Sequence, residues 1–361
     1  MALSKIDPAG LDIGQIGGRR NLIINGAMQV AQRGTSAITG NGYAVDRFYG
    51  SKFATDQLAH SIQQVSDSPD DFSYSLKYTV TTAETTMEAT ENVPFYQNIE
   101  GFNTAHLNLG TASAKTFTLS FYVKSSLTGT FGGSFQNSAT DRSYPFTYTI
   151  SSANTWERKT VTVAGDTSGT WVGATNGVGL RLYFSMGAGP TRLGTAGAWA
   201  SDNYTGATGQ TQITENLNAT WQITGVQLEV GSVATPFEHR SYGEELALCQ
   251  RYCFLLANND DASEAMPVGA RGFNTDQVEC DVIFPTEMRT RPTLLQLGSG
   301  TNWRARYSDF SVDWSTFTWW TQSSRRGGLL YNGSLSGITI GNCYRLARIS
   351  GSAYIIFDAE L

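Results

Sequence analysis

Cysteine is scarce. There are four in 361 residues, Cys249, Cys253, Cys280 and Cys343, all in the last third of the chain. They are too few for a disulfide scaffold and lack the paired CxxC spacing of a zinc site, so they read as small buried apolar residues. Histidine is scarcer still, with only His60, His106 and His239, and without a GxSxG elbow a nucleophile–base–acid triad has few places to form. His239, in FEHRSYGEE, reads as a surface or junction residue sooner than as a catalytic base. Charged residues make up 16% of the chain, against roughly 25% in an average soluble protein, which leaves little from which to build surface helices. The net charge of −6 argues against a nucleic-acid-binding surface, because such binding draws on lysine and arginine contacts to phosphates. No apolar run approaches the roughly 20 residues that span a bilayer, so membrane insertion is not expected. The opening MALSKIDPAGLDIG lacks the charged and apolar regions of a cleaved export signal.

Resident cofactors are not expected either. There is no HExxH and no EF-hand loop, and GAGPTRLGTAG and TGTFGGSF do not join a strand to a helix as phosphate-binding loops do. A structural calcium held through loop oxygens by Asp46, Asp166 or Asp202 remains open. So does a glycosidase pair, since any two of the 31 acidic residues could meet at the required separation across a loop.

What the chain does have is glycine (38), tyrosine (16), phenylalanine (18) and tryptophan (8), set in short runs between turn residues. Phe117, Leu119, Phe121 and Val123 alternate with Thr116, Thr118, Ser120 and Tyr122, so one face is buried and the other wet, the pattern of an antiparallel sheet. About ten such runs without a fixed repeat period predict an all-β chain whose first domain, residues 19–240, is a jelly-roll sandwich. Residues 1–18 are too broken by glycine for a helix and too apolar for a free tail, and are expected to order against a neighbour as an attachment segment. Pro236 closes the sandwich, and Ser241-Tyr242-Gly243-Glu244 reads as a capping box opening a connecting helix over 241–257. On that helix Leu246, Cys249, Cys253 and Leu256 have coiled-coil spacing and are candidates for an oligomer seam, with packing onto the helix's own domain as the alternative. A smaller β domain over 258–361 follows, holding Trp303, Trp314, Trp319 and Trp320.

The stretch 303–326 carries the residue types that recognise saccharides, flat rings to stack and donors for hydroxyls. The candidate ligand-binding residues are Trp319, Trp320, Arg304, Arg306, Tyr307, Arg325 and Arg326. Alternate members such as Phe310, Val312 and Trp314 read equally as the inward face of a strand. Trp319 and Trp320 are consecutive, so in a regular strand only one of the two rings can join the core.

Several stretches carry a resemblance. NLIINGAMQVAQRGTS followed by YAVDRFYG resembles the opening of the carbohydrate-binding-module-like jelly roll of phage tail-fibre and related virion proteins. LSFYVKSS, TWERKTVTVAGDTSGTW and WQITGVQLEVGSVATPFEHRSYGEELALCQRYC extend it, and VIFPTEMRTRPTL resembles the start of the β domain that follows in such proteins. Together they cover residues 21–295. The resemblance implies a homotrimeric virion appendage, docked to other virion proteins through its N-terminal segment, with its C-terminal domain as a receptor-binding tip touching a host glycan or other receptor. It implies no catalytic residues. A head-decorating fibre or adaptor without a receptor role, and a polysaccharide-depolymerising spike, are the alternatives.

Overall fold

The computed structural model describes residues 19–53, 56–257, 265–297, 302–349 and 353–361. The attachment segment expected over 1–18 lies outside the described residues. Two compact units emerge: the first runs to Tyr242, apart from Gln32–Gly34, and takes in Leu361; the second holds Gln32–Gly34 and Gly243–Glu360.

The first unit is an antiparallel jelly-roll sandwich. Its strands are β1 (Ile38–Thr39), β2 (Gly42–Val45), β3 (Phe48–Gly50), β4 (Ala59–Val65), β5 (Ser75–Thr82), β6 (Asn92–Glu100), β7 (Phe117–Ser125), β8 (Gly129–Gln136), β9 (Ser143–Ile150), β10 (Glu157–Val163), β11 (Val178–Ala188), β12 (Leu193–Gly194), β13 (Gly206–Ala207) and β14 (Thr220–Val230). One six-stranded sheet has the order β1-β4-β5-β14-β7-β10 and the other β2-β3-β6-β11-β8-β9. Period-two patterning fills the space between them: Phe117, Leu119, Phe121 and Val123 of β7 meet Phe131 and Phe135 of β8, Leu182 and Phe184 of β11 and Trp221 of β14, all fully buried. Truncating one of these large side chains to alanine costs about 3–5 kcal/mol. The other face of β7 is less wet than the alternation predicts. Thr118 is buried too, because its hydroxyl donates to the Gly231 carbonyl of the segment that follows β14.

The residues that carry the resemblance turn out to be structural. Asn21 Nδ2 donates to the Val226 carbonyl at 3.1 Å, while its Oδ1 accepts from Ile23 N and Leu228 N at 2.9 and 3.0 Å. Glu238 accepts from the Arg20 and Asn21 amides, and Arg240 donates to the Asn21 and Ile23 carbonyls. Asn25, held at φ 60°, donates to the carbonyls of Val30 and Asp46. Gly26 is required here, since a Cβ would lie 2.1 Å from the Val226 carbonyl oxygen. These side chains tie the segment entering the sandwich to its last strand.

The second unit opens within a helix, Tyr242–Gln250, which starts directly after Ser241 as the capping pattern predicts. The expected span to 257 is corrected. After Gln250 the chain turns into β15 (Cys253–Ala257), which pairs with the last strand, and two residues of the proposed seam go with it. Cys249, Cys253 and Leu256 are buried and Leu246 is half-buried, so the four do not form one exposed helical stripe. Of the cysteines, only Cys343 is exposed, against the expectation that all four are buried.

The remaining strands are β16 (Ala265–Gly272), β17 (Val278–Ile283), β18 (Thr293–Leu297), β19 (Trp303–Tyr307), β20 (Phe310–Trp314), β21 (Thr318–Trp319), β22 (Gly327–Asn332), β23 (Cys343–Arg348) and β24 (Tyr354–Asp358). They form a three-stranded sheet, β15-β24-β18, and a seven-stranded one, β20-β19-β23-β16-β17-β22-β21. Its edge strands β20 and β21 are joined only by Ser315, Thr316 and Phe317, a link that reaches at most about 14 Å. In a flat sheet they would stand about 29 Å apart. The sheet therefore curls strongly, around Trp303, Trp314, Phe317, Trp319 and Leu330.

Candidate functional site

The outer face of the β2-β3-β6-β11-β8-β9 sheet carries a row of tyrosines in direct cross-strand register. Tyr43 pairs with Tyr49, Tyr49 with Tyr96, and Tyr96 with Tyr183, and the row continues to Ser134 and Pro145. Successive ring centroids are 4.8, 5.4 and 5.1 Å apart. Each ring stands outward because its neighbour faces the core: Phe48, Phe95 and Phe184 are buried beside Tyr49, Tyr96 and Tyr183. Tyr43, Tyr49 and Tyr96 remain half-exposed. Burial raises the Tyr183 phenol above the usual tyrosine range, opposed by Arg181 and Arg192, whose charges favour the phenolate.

Beside the row lies a cleft of about 410 Å³ lined by Phe53, Thr90, Asn92, Thr140, Arg181, Tyr183, Arg192, Asn203 and Thr205. The size is that of a small-ligand site. Arg181 stands in register between Asn98 of β6 and Gln136 of β8. Gln136 in turn donates to Asn203 Oδ1 at 3.0 Å and to the Tyr204 carbonyl at 2.6 Å, which pins the loop bearing Asn203 against the sheet. Arg192 follows β11 in a single turn opened by Pro190. Strand β13 and the turn after it cover the other end of the face, where Gln210 Nε2 donates to Ser185 at 2.7 Å. The Thr205 hydroxyl, buried in the cleft wall, has no hydrogen-bond partner.

None of these tyrosines was singled out by the composition of one stretch. The signal that finds them is the repeated pair FY at 48–49 and 95–96 and YF at 183–184, which puts one ring on each side of a strand.

The aromatic stretch of the second unit splits between core and surface, one tryptophan of the consecutive pair on each side. Trp319 is buried against Phe284 and Phe357, with centroids at 5.9 and 4.7 Å, whereas Trp320 is 38% exposed and rests against Tyr331. Arg325 and Arg326 both pair with Glu287, at 2.7 and 3.2 Å. Arg304 and Arg306 lie on β19 by the opposite edge of the sheet, where Arg304 holds Asp313 in a two-pronged ion pair. Tyr307, on the alternate face, leans on Tyr344. Among the described residues no hydrogen bond or ion pair joins the two groups. Phe310 and Val312 pack partly against the core and Trp314 is buried within it.

The histidine among polar groups, His239, packs with Phe72 and Phe237 at 5.3 and 4.9 Å beside Tyr122 and Arg158, in a cleft on the other sheet. Its imidazole makes no hydrogen bond to a carboxylate or hydroxyl among the described residues. Of the calcium candidates, Asp166 is taken by the Arg142 guanidinium, both oxygens accepting at 2.7 Å. Asp46 is buried, and Asp202 accepts from the Asn203 amide. No cluster of three metal-ligating side chains occurs among the described residues.

No family model matches the chain, and no curated protein matches it. Solved structures it is similar to include the enzymatically active domain of tailspike protein 4 of bacteriophage CBA120, at a TM-score of 0.32 and 16% identity over 58% of this chain and 21% of that one. This chain thus spans about a fifth of the tailspike domain. A family 11 carbohydrate-binding module of a cellulosomal cellulase of Clostridium thermocellum gives 0.28 and 11% over 58% and 99%. A CBM22-1–GH10 segment of xylanase 10B from the same organism, complexed with xylohexaose, gives 0.29 and 11% over 59% and 29%.

Proposed function

We propose that the sandwich unit binds a glycan chain along its tyrosine row without cleaving it, and that the protein is a fibre or fibre-tip component through which a phage particle attaches to its host. The observation that carries the binding reading is the register of Tyr43, Tyr49, Tyr96 and Tyr183, ending on a cleft furnished with Arg181, Arg192, Asn92 and Asn203. Rigid tyrosine rings offer large amphipathic contact area at low entropic cost, suited to the C–H faces of sugar rings, and guanidinium and amide groups supply donors for hydroxyls. The row spans about 14 Å across four strands, a shape that suits an extended ligand. The residues lining the cleft include no carboxylate, which favours holding a glycan over hydrolysing it, since hydrolysis needs two.

The attachment role rests on the resemblance of residues 21–295 to virion appendages. In that role the chain assembles as a homotrimer in the virion, with residues 1–18 docking to other virion proteins. Native gels cast with and without host surface polysaccharide test the binding: retarded migration, lost in Tyr96→Ala, is expected. Equal migration in both gels overturns the reading. Release of new reducing ends would replace it with a depolymerising one, and light scattering returning one chain mass at micromolar concentration would remove the trimer.

A further inference from the structure

Several arginines of the chain hold a carboxylate: Arg142 has Asp166, Arg304 has Asp313, and Arg325 and Arg326 share Glu287. Arg181 and Arg192 do not. Neither forms an ion pair among the described residues, although the chain carries a net charge of −6, and both border the same cleft, whose lining includes no Asp or Glu. Arg192 reaches only the Thr90 carbonyl, at 3.5 Å. Two half-buried guanidinium groups held on one concave surface repel each other, and a cleft of one sign concentrates its field on whatever enters.

Three further features point the same way. Tyr183, a buried ring whose phenol feels the charge of both guanidinium groups, ends the row and lines the cleft, so a sugar stacked on the half-exposed Tyr96 beside it carries its substituents toward the arginines. Asn92 and Asn203 flank the cleft with amide donors. The Thr205 hydroxyl in the wall is buried and has no partner, and buried polar atoms of native proteins are ordinarily satisfied.

We propose that this cleft selects an anionic sugar, with the acid group of one residue of the glycan held between Arg181 and Arg192 while the chain continues past Tyr183 over Tyr96. The inference rests on the glycan-binding reading and specifies its ligand class. Guanidinium forks bind planar carboxylates and tetrahedral phosphates alike through paired N–H donors, so the shared chemistry is the anionic oxygen group. Neutral polymers lack the group that the two arginines are arranged to meet.

Affinity electrophoresis of the full chain against polygalacturonate, its carboxyl-reduced neutral form and a phosphomannan tests this. Expected is binding to at least one of the acidic polymers that is ten-fold or more tighter than to the neutral one and that falls steeply with salt. Polygalacturonate alone would assign a carboxylate, phosphomannan alone a phosphate. Arg181→Gln and Arg192→Gln should each abolish the preference, with Arg181→Lys restoring part of it, while circular dichroism and thermal unfolding stay unchanged. Equal binding of neutral and acidic polymers, lost in Tyr96→Ala but kept in both arginine variants, would overturn the anionic selection and leave glycan binding standing. Failure of all three polymers to bind would overturn the selection for these sugars, whereas failure of host polysaccharide as well would remove the binding reading itself.

Discussion

Tyr96 and Tyr183 stand directly opposite each other on β6 and β11, ring centroids 5.1 Å apart, on the side of the sheet away from Phe95 and Phe184. Adjacent residues in these strands therefore do separate jobs. Tyr96→Ala should leave the fold intact, costing about 1 kcal/mol of cross-strand pairing, while weakening glycan retention about ten-fold or more. Phe95→Ala should cost about 3–5 kcal/mol of stability. Chemical denaturation and affinity electrophoresis of the two variants separate these effects, and a loss of binding without a loss of fold in Tyr96→Ala is the decisive result.

The same alternation governs Trp319 and Trp320. Replacing the buried Trp319 by alanine should destabilise the second unit by about 3–5 kcal/mol, whereas Trp320→Ala should change stability by less than about 1 kcal/mol. If urea midpoints shift equally for both, the exposed ring contributes packing that its 38% exposure does not suggest.

His60 gives the sandwich a pH dependence. Burial, helped by the charge of Lys52 and opposed by the hydrogen bond to the Gly40 carbonyl, lowers its imidazole from 6.5 to about 4. Between those values the unfolded chain takes up a proton that the native state refuses. The stabilisation is thus fully present above about pH 6.5 and is lost as the pH falls toward 4, by up to about 3 kcal/mol. In His60→Gln that proton is missing from both states. The difference in unfolding free energy between the two proteins should therefore change over this window, and a constant difference would rule the histidine out as its source.

Asn21 closes the sandwich through three hydrogen bonds made by one buried amide. Asn21→Ala leaves the Leu228 amide and the Val226 carbonyl without partners in the interior, at a cost of about 2 kcal/mol or more. Hydrogen exchange at Leu228 should accelerate in this variant. Unchanged protection there would show that solvent or a neighbouring group replaces the amide.

Strand alternation is a local property, written at every second residue. The all-β class, the sandwich, the inward set of β7 and the division of labour between Trp319 and Trp320 could therefore be read from the order of residues alone. The helix start was legible for the same reason, since capping involves residues three apart. Its end was not. Leu246, Cys249, Cys253 and Leu256 fit a helical spacing, yet the strand pairing of Cys253 with Asp358, more than a hundred residues away, turned the chain after Gln250. The tyrosine row lies beyond local reading altogether. Tyr43, Tyr49, Tyr96 and Tyr183 come from four strands spread over some 140 residues of sequence, and their alignment depends on which strands become neighbours and in what register. The sequence by itself determined which side of each strand a ring takes. Only the tertiary structure decided which rings share a row and which arginines meet no acid, because hydrogen-bonded pairing between distant strands, not spacing along the chain, sets those distances.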